Sequence, residues 1–375
     1  MPYHASRSQA GTAQARPPDD LARHRDWILV TGGAGFIGSH VVAELTAAGM
    51  RVVVVDNYEN SDPGVIDRIG RLGHGRPDTI EADVRSSEAL GAVFRQYQVA
   101  AVIHLAGKKR LDESVARPLL YYDANLNGAL ALLRAMQDAG VHRLVFSSSA
   151  TVYGPHRRTP IDETAATRPI NPYGRTKLVT EQIIDDVTAA DPDFRAISLR
   201  YFNPVGAHKS GLLGDSPNGV PNNLFPLIAD AATGRRQAVQ VFGTDYQTSD
   251  GTGLRDYVHV VDLARGHVAA VERLMAEDTS QGRHVRLNLG TGTGHTVLEA
   301  ISAFSRACGF PIPYELAARR RGDTAALVAD ASKAAAMLGW RTERGLDEMC
   351  ADHWAFASQA AAGGRERART DSDAA

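Results

Sequence analysis

Tyr173 and Lys177 have the spacing of a tyrosine base and a lysine that tunes its pKa. They are four positions apart in the segment NPYGRTK, and Pro172 suits a first helical position, so both side chains would share one helical face. Tyrosine titrates near pH ~10 and is a poor base at neutral pH, but a nearby ammonium group favours the phenolate. Ser149, which ends the segment SSS, could bond the same substrate hydroxyl and relay its proton. This set predicts reversible removal of a proton from a substrate hydroxyl group.

A glycine-rich turn near the beginning of the chain has the spacing of a dinucleotide-binding loop. The turn TGGAGFIG lies between an apolar run and a helical pattern. Gly32 permits the tight turn, Gly35 lets the backbone approach a pyrophosphate, and Gly38 lets the helix pack close to the strand. Asp56 ends the next apolar run, where a carboxylate binds ribose hydroxyls and repels a 2′-phosphate, which favours NAD over NADP. Asp83 ends a third run and could either reach the adenine amino group or lie in solvent.

The tyrosine needs more than one nearby positive charge. Lowering its pKa toward ~7 takes about three units, or ~4 kcal/mol. Two close cations in a partly dry site can supply that, whereas one solvated lysine cannot. The second cation would be the nicotinamide ring of NAD, and Lys177 would also bond the nicotinamide ribose.

Apolar runs alternate with helical patterns along most of the chain. They predict strands at 27–30, 52–55, 79–84, 100–105, 144–148, 196–201 and 285–289. They predict helices at 36–48, 88–96, 115–139, 172–190 and 261–275. This alternation predicts an α/β fold with a Rossmann-type, doubly wound parallel sheet, whose carboxyl edge would bring the glycine turn, the serines and the tyrosine helix together.

The pattern breaks after Asn203, which divides the chain into two expected lobes. Residues 27–203, with returns near 260–290, would form the dinucleotide-binding domain. Residues 204–259 and 291–360 would form a smaller mixed α/β substrate lobe, and only short elements are expected after Thr291. Residues 1–25 predict a disordered N-terminal tail, and 361–375 predict a polar C-terminal tail.

Composition excludes several other classes of protein. The 375 residues carry 41 Lys and Arg against 43 Asp and Glu, a net charge of −2, so no nucleic-acid or membrane partner is expected. Two cysteines without a C-x-x-C pair argue against a disulfide framework or a cysteine zinc site, and no metal is expected. No apolar run approaches the ~20 residues of a membrane helix, and no secretory signal is visible. The cytoplasm is therefore expected, with an organelle transit peptide at the Arg-containing N-terminus as the weaker alternative.

Seven segments together resemble the extended short-chain dehydrogenase/reductase superfamily and, within it, the UDP-glucose (UDP-galactose) 4-epimerase family. The likeness runs from about Ile28 to Trp354 through TGGAGFIGSH, SSSATVYG, NPYGRTK, RYFNPVGAH, PNNLFP, DGTGLRDYVHV and RRGD. It implies that Tyr173 takes the proton of the sugar 4-hydroxyl while NAD takes hydride from C4. The 4-keto sugar would then turn over in the site and be reduced on its other face, with NAD bound throughout. The family also forms homodimers, which implies a homodimer here.

The resemblance also implies two sets of contact residues. The NAD contacts would be Gly32, Gly35, Phe36, Ile37, Gly38, Asp56, Asn57, Asn60, Asp83, Val84, Leu105, Lys109, Asn125, Tyr173, Lys177 and Phe202. Lys108 could serve in place of Lys109, or both lysines could be surface charges. The UDP-sugar contacts would be Ser149, Tyr173, Asn203, Asn223, Leu224, Phe242, Arg255, Arg320, Asp323 and Leu327.

Several of the substrate contacts have an alternative structural role. Arg255 and Arg320 would clamp the diphosphate, Asp323 would accept from the uridine ribose, and Phe242 would pack on the uracil. Arg255 could instead form an ion pair with its neighbour Asp256. Arg320 could belong to a solvated basic run, and Asn203 could simply form a turn.

Leu327 is where the sequence departs from the family pattern. It falls at the position facing the sugar 2-position, where a bulky aromatic or a small residue is usual, so acceptance of N-acetylated UDP-sugars stays open. Related dehydratases place an acidic pair after the serine, but the residues here are Ala150, Thr151 and Val152, which disfavours elimination. A net oxidoreductase and a catalytically inactive NAD sensor are further alternatives, and the sensor would not need Ser149, Tyr173 and Lys177 together.

Overall fold

The computed structural model describes residues 26–156, 158–219, 221–276, 283–320 and 324–373, with side chains up to residue 362. The expected N-terminal tail at 1–25 and the substrate contact Asp323 lie outside these ranges. The strands of the described residues are β1 (Trp27–Thr31), β2 (Arg51–Asp56), β3 (Asp78–Glu81), β4 (Val99–His104), β5 (Arg143–Ser149), β6 (Arg195–Tyr201), β7 (Asn203–Val205), β8 (Val239–Phe242), β9 (Leu254–Arg255), β10 (Tyr257–His259), β11 (His284–Leu289), β12 (His295–Thr296), β13 (Tyr314–Ala317) and β14 (Ala326–Leu327).

Helices flank these strands in the described parts of the chain. They are α1 (Phe36–Ala47), α2 (Val65–Gly70), α3 (Ser87–Gln96), α4 (Leu111–Ala116), α5 (Pro118–Tyr122), α6 (Gly128–Asp138), α7 (Pro172–Ala190), α8 (Leu224–Ala232), α9 (Val260–Met275), α10 (Val297–Cys308), α11 (Ser332–Leu338) and α12 (Leu346–Asp373). A π-helical turn, Asp123–Asn127, joins α5 to α6, and a 3-10 turn, Ala150–Val152, follows β5.

A seven-stranded parallel sheet forms the centre of the molecule. Its strand order is β11-β6-β5-β4-β1-β2-β3, and every neighbouring pair is parallel. Apolar side chains are buried on both faces of the sheet, because α1 and α9 cover one face and α3 and α6 the other. The α/β, Rossmann-type fold expected from the sequence is confirmed.

The long helix expected at 115–139 is wrong. Pro118 has no N–H with which to continue α4, and Arg117 before it leaves the helical region with φ −132° and ψ 61°. The segment therefore divides into α4, α5, the π-helical turn and α6.

The expectation of only short elements after Thr291 is also wrong. α10 has 12 residues and begins with a capping box, in which Thr296 accepts from the Glu299 N–H while the Glu299 side chain accepts from the Thr296 N–H. α12 has 28 residues, so the segment expected as a polar tail continues a helix through Asp373.

Three smaller sheets lie outside the central one. β7 pairs with β10, β8 with β13, and β9 lies between β12 and β14. Strands β7, β8 and β10 contribute to a separate apolar cluster that includes Phe225, Phe304 and Met349. No helix among the described residues is long and apolar enough to cross a membrane.

Candidate active site

Strand β5 and helix α7 bring the serine and the tyrosine together. Ser149 is the last residue of β5, and the side chain of Asn171 caps α7 by accepting from the Gly174 N–H at 2.8 Å. A Cβ atom on Gly174 would lie 2.9 Å from the carbonyl oxygen of Thr151. Glycine at this position therefore lets the first turn of α7, with Tyr173, approach the turn that follows Ser149.

The environment of Tyr173 acts in two directions on its pKa. Burial raises the pKa of the phenol, and hydrogen bonding from the Ser149 side chain lowers it by less, so the pKa is above its usual value. The Ser149 hydroxyl oxygen accepts from the N–H and the hydroxyl of Thr151, at 3.2 and 3.0 Å. Its own hydrogen thus remains for the phenol oxygen or a substrate oxygen.

Lys177 is buried on the same helical face as Tyr173. Its Nζ donates to the Ser147 carbonyl oxygen at 2.7 Å and lies 5.9 Å from the centre of the Tyr173 ring. Burial lowers the pKa of Lys177 to about 8. The three side chains proposed for proton transfer are therefore adjacent, and burial dominates the pKa values of both the phenol and the amine.

The glycine turn forms an open cradle between β1 and α1. Gly32 has φ +73°, and a Cβ atom there would lie 2.6 Å from the Ala106 backbone nitrogen. A Cβ atom on Gly38 would lie 2.1 Å from the Gly32 carbonyl oxygen. One on Gly35 would lie 3.5 Å from that oxygen and meet no other atom of the described residues within 4 Å. No side chain caps the N-terminus of α1 at Gly35. The space beside Gly35 and the free helix end suit an anionic diphosphate.

Asp56 is held in place by backbone donors at the end of β2. Its Oδ2 accepts from the Ala34 N–H at 3.0 Å and its Oδ1 from the Tyr58 N–H at 2.9 Å. These bonds place the carboxylate beside the glycine turn, as a ribose-binding acid requires.

Asp83 is an ion-pair partner rather than a simply solvated acid. Arg85 donates to it at 2.6 Å and is the main reason that its pKa is lowered to about 2. Asn57 lies 3.5 Å from the same carboxylate. An adenine amino group would therefore share Asp83 with Arg85.

The remaining NAD candidates lie along the carboxyl edge of the sheet or in the loops beside it. Exposed Asn57 and Asn60 follow β2, half-buried Phe36 and Ile37 begin α1, half-buried Leu105 follows β4, and buried Val84 and Phe202 follow β3 and β6.

The two lysines after β4 differ in their partners. Lys108 pairs with Glu59 at 2.5 Å. Lys109 Nζ lies 5.9 Å from the centre of the Phe36 ring, beside the glycine turn, and 3.9 Å from Asp215. Of the two, Lys109 has the placement that a phosphate contact needs.

Asn125 contacts protein groups on both sides. Its Oδ1 accepts from the Lys108 N–H at 2.8 Å, and its Nδ2 donates to the Lys108 carbonyl oxygen at 3.1 Å and to the Thr176 hydroxyl at 2.9 Å. Both amide hydrogens are therefore used within the protein, which leaves one lone pair of Oδ1 for a cofactor. These features together show that the residues present fit NAD.

Arg255 does not pair with its neighbour. The buried Asp256 carboxylate instead accepts from the backbone N–H groups of Thr291, Gly292 and Ala329, at 2.8 to 3.1 Å. Arg255 bonds the Leu254 carbonyl oxygen at 2.9 Å.

The β9 strand places Arg255 beside Leu327, the residue expected to face the sugar 2-position and called the gate below. Arg255 is directly opposite Leu327 of β14, so these two residues share one face of the small sheet.

Arg320 and Arg319 have different surroundings. The Arg320 guanidinium lies 4.7 Å from the centre of the Phe242 ring. Arg319 pairs with Asp245 at 2.6 Å and lies over the Tyr246 ring. Arg319 and Arg320, the two described residues of the basic run, are therefore not simply solvated.

Two asparagines retain unused side-chain atoms. Asn203 Oδ1 is buried without a hydrogen-bond partner among the described residues, so a turn-forming role does not account for it. Asn223 stands at the N-cap of α8 without capping it through its side chain, and Leu224 begins that helix.

Two buried residues behind this site, Glu181 and Arg200, are not among those predicted from the sequence. Glu181 is four residues beyond Lys177, so the spacing of Tyr173, Lys177 and Glu181 was the available signal. The described residues contain no cluster of three His, Cys, Asp or Glu side chains able to hold a metal ion.

Comparisons with known proteins agree with this geometry. The model of the NAD dependent epimerase/dehydratase family matches residues 28–290. A UDP-glucose 4-epimerase of Yersinia pestis is 52% identical over 334 residues, which cover 89% of this chain and 98% of that protein. The human UDP-glucose 4-epimerase is 48% identical, covering 88% and 96%. The crystal structure of a Stenotrophomonas maltophila UDP-glucose-4-epimerase with bound NAD and formylated UDP-arabinopyranose has a TM-score of 0.87 and 49% identity, covering 90% and 99%.

Proposed function

The chain belongs to the NAD-dependent epimerase/dehydratase family, and on that premise we propose that it interconverts UDP-glucose and UDP-galactose with NAD as cofactor. The observation that carries this proposal is the adjacency of Ser149, Tyr173 and Lys177 at the sheet edge that also holds the glycine turn. Relatives that match most of the chain include UDP-glucose 4-epimerases, and two solved relatives contain NAD with UDP or a UDP-sugar.

The chain's own residues divide the work of proton transfer. The chemistry that bound NAD supplies is reversible hydride transfer at carbon 4 of the sugar. Tyr173 takes the proton of the 4-hydroxyl group and later returns one to the 4-keto oxygen. Ser149 would donate a hydrogen bond to the same oxygen. Lys177, whose amine lies 5.9 Å from the centre of the Tyr173 ring, would hold the nicotinamide ribose and add positive charge near the phenol.

The residues proposed to bind the substrate come from both expected parts of the chain. One part is 27–203 with the residues near 260–290, and the other is 204–259 with 291–360. Arg255 and Arg320 would clamp the diphosphate, and both have planar guanidinium groups suited to bidentate contacts. Asn203 and Asn223 offer side-chain atoms that are not used in capping or pairing. A firm hold on UDP and a looser hold on the sugar would let the keto sugar turn over.

Leu327 bears on the alternative substrates. Its position opposite Arg255 places it beside the proposed diphosphate contact, and its intermediate size leaves UDP-N-acetylglucosamine and UDP-N-acetylgalactosamine as alternatives. A nucleotide-sugar dehydratase or reductase is disfavoured, because Ala150–Val152 after Ser149 carries no acid.

A product analysis tests the proposal. The purified protein is incubated with UDP-galactose, and in parallel with UDP-N-acetylgalactosamine, and the nucleotide sugars are identified by NMR. The expected product is UDP-glucose at equilibrium with UDP-galactose, without accumulation of NADH. Loss of water would indicate a dehydratase, stoichiometric NADH a net oxidoreductase, and no product in the presence of NAD would refute the proposal.

Exposed apolar side chains bear on the oligomeric state of the protein. Leu111, Val115 and Leu119 are exposed by 44%, 65% and 81%, and these apolar side chains on α4 and α5 support a homodimer. The mass of the protein in solution tests this.

We also propose a cytoplasmic location, which fractionation of the source cells would test.

A further inference from the structure

Glu181 is a buried carboxylate one helical turn beyond Lys177 on α7. It is fully buried and accepts four hydrogen bonds. Its Oε1 accepts from the Ser148 hydroxyl at 2.6 Å and from Arg200 Nε at 2.9 Å. Its Oε2 accepts from Arg200 Nη2 at 2.6 Å and from Arg286 Nε at 3.2 Å. The Glu181–Arg200 pair is thus bidentate, which fixes its geometry as well as its charge.

Arg200 extends this contact to Tyr153, at the other end of residues 148–153, which we call the serine segment. Its Nη1 donates to the Tyr153 hydroxyl at 3.0 Å, and its guanidinium lies 4.9 Å from the centre of the Tyr153 ring. The Tyr153 hydroxyl in turn donates to Asn288 Oδ1 at 2.6 Å. The hydroxyl group of Tyr153 is therefore held from two sides.

The two contacts lie on either side of Ser149. Ser148 precedes it at the end of β5, and Tyr153 follows the 3-10 turn. One carboxylate on α7 and the guanidinium bound to it hold both ends of the segment that carries the serine. Because Tyr173 is on the same helix, these bonds set the distance between the serine hydroxyl and the phenol.

We propose that Glu181 and Arg200 are positioning residues, which act on the reaction by holding Ser149 against Tyr173. This inference rests on the proposed function. Neither residue needs to touch substrate or cofactor, because both act through the backbone of 148–153. A displacement of about 1 Å in such a site can cost roughly a hundredfold in rate.

Glu181→Gln is the main test, because glutamine has nearly the same shape but no charge. We expect kcat for UDP-galactose to fall by roughly a hundredfold, with KM changed by less than about twofold, because the lost interaction orients the reacting groups. The NAD content of the purified protein should stay as in wild type. The acid limb of the kcat profile should move to higher pH, because Tyr173 loses the Ser149 hydrogen bond that lowers its pKa.

Ser148→Ala is a milder second variant, which removes one hydrogen bond and leaves the ion pair. It should shift the acid limb in the same direction and lower kcat by a smaller factor. If Glu181→Gln does not fold, this variant decides the question.

Asp262→Asn is the matched control for the loss of a buried carboxylate. Asp262 accepts from the Glu343 and Arg344 N–H groups at 3.0 Å and pairs with the Arg344 guanidinium, away from the serine segment. It should lower stability but leave kcat and its pH profile unchanged.

Three results separate the possible failures. Wild-type protein that does not convert UDP-galactose refutes the proposed function itself. Active wild type, with Glu181→Gln and Ser148→Ala both retaining its kcat and pH profile, refutes the positioning role alone. An equal loss of kcat in Asp262→Asn also refutes it, because the effect would then be a general consequence of destabilisation.

Discussion

Gly35 and Gly38 offer a test that separates cofactor binding from folding. Gly35 has φ −71° and ψ 177°, which alanine adopts without strain. Within the described parts of the chain, an added Cβ atom would meet only the Gly32 carbonyl oxygen, at 3.5 Å. At Gly38 the added atom would lie 2.1 Å from that oxygen and 2.8 Å from the Gly33 Cα. Because both neighbours at Gly38 are backbone atoms, α1 must move to admit alanine there.

The two variants should affect the free energy of unfolding differently. Gly35→Ala should leave the free energy of unfolding unchanged or raise it by up to ~1 kcal/mol, because the unfolded chain loses freedom. If NAD diphosphate fills the space beside Gly35, the methyl group costs ~1–3 kcal/mol in overpacking, a roughly ten- to hundredfold weaker NAD affinity. Gly38→Ala should lose ~1–3 kcal/mol of folding stability even without NAD, since the helix is displaced.

Two measurements check this prediction. The NAD dissociation constant is obtained by calorimetry on protein depleted of cofactor, and stability by urea unfolding of the same samples. Gly35→Ala with wild-type NAD affinity would refute the assignment of this space to the cofactor. Gly38→Ala with wild-type stability would refute the close-packing argument.

Other predictions address the base, the gate and the effect of pH. Tyr173→Phe should lower turnover of UDP-galactose by at least ~100-fold while bound NAD is unchanged; retained turnover would remove Tyr173 as the base. Leu327→Tyr should lower the turnover of UDP-N-acetylglucosamine relative to UDP-galactose, and an unchanged ratio would refute the gate. The free energy of unfolding should fall as the pH drops below ~6.5, because histidines of the unfolded chain then take up protons, whereas burial keeps the pKa of four folded histidines at about 3 or 4. Each of these histidines contributes up to ~1.4 kcal/mol per pH unit. Urea midpoints that do not change between pH 7 and pH 5 would contradict this. The histidines concerned are His40, His104, His267 and His353.

The central sheet could be predicted because its strands are apolar on both faces. Helix α7 was predicted with its observed bounds, since Pro172 marks its beginning. The sequence also holds two signals that would have corrected the predicted helices. Pro118 breaks the helix expected at 115–139, and the T-x-x-E pattern at Thr296 marks the start of α10, in a region for which short elements were expected.

The site was predictable where its residues come from the carboxyl ends of strands and less so where they depend on long-range pairing. An ion pair between Arg255 and Asp256 was open from sequence, but consecutive residues of an extended strand point to opposite faces, which separates their side chains. The bonds of Glu181 to Ser148 and Arg200 connect residues far apart in sequence. The four-residue spacing places Glu181 on the helical face of Tyr173 and Lys177, but it does not reveal the partners of Glu181, because these become neighbours only when β5 and β6 pair.

The pKa values of Tyr173 and Lys177 explain why the charge of Lys177 alone would not make Tyr173 a base. Burial raises the pKa of the phenol and lowers that of Lys177 to about 8. Ser149 offsets only part of this effect, and the amine donates to the Ser147 carbonyl rather than to the phenol. The further positive charge would come from an oxidised nicotinamide ring. Tyr173 would therefore be available as a phenolate base only when the site holds the form of the cofactor that can accept a hydride, which would couple proton transfer to hydride transfer.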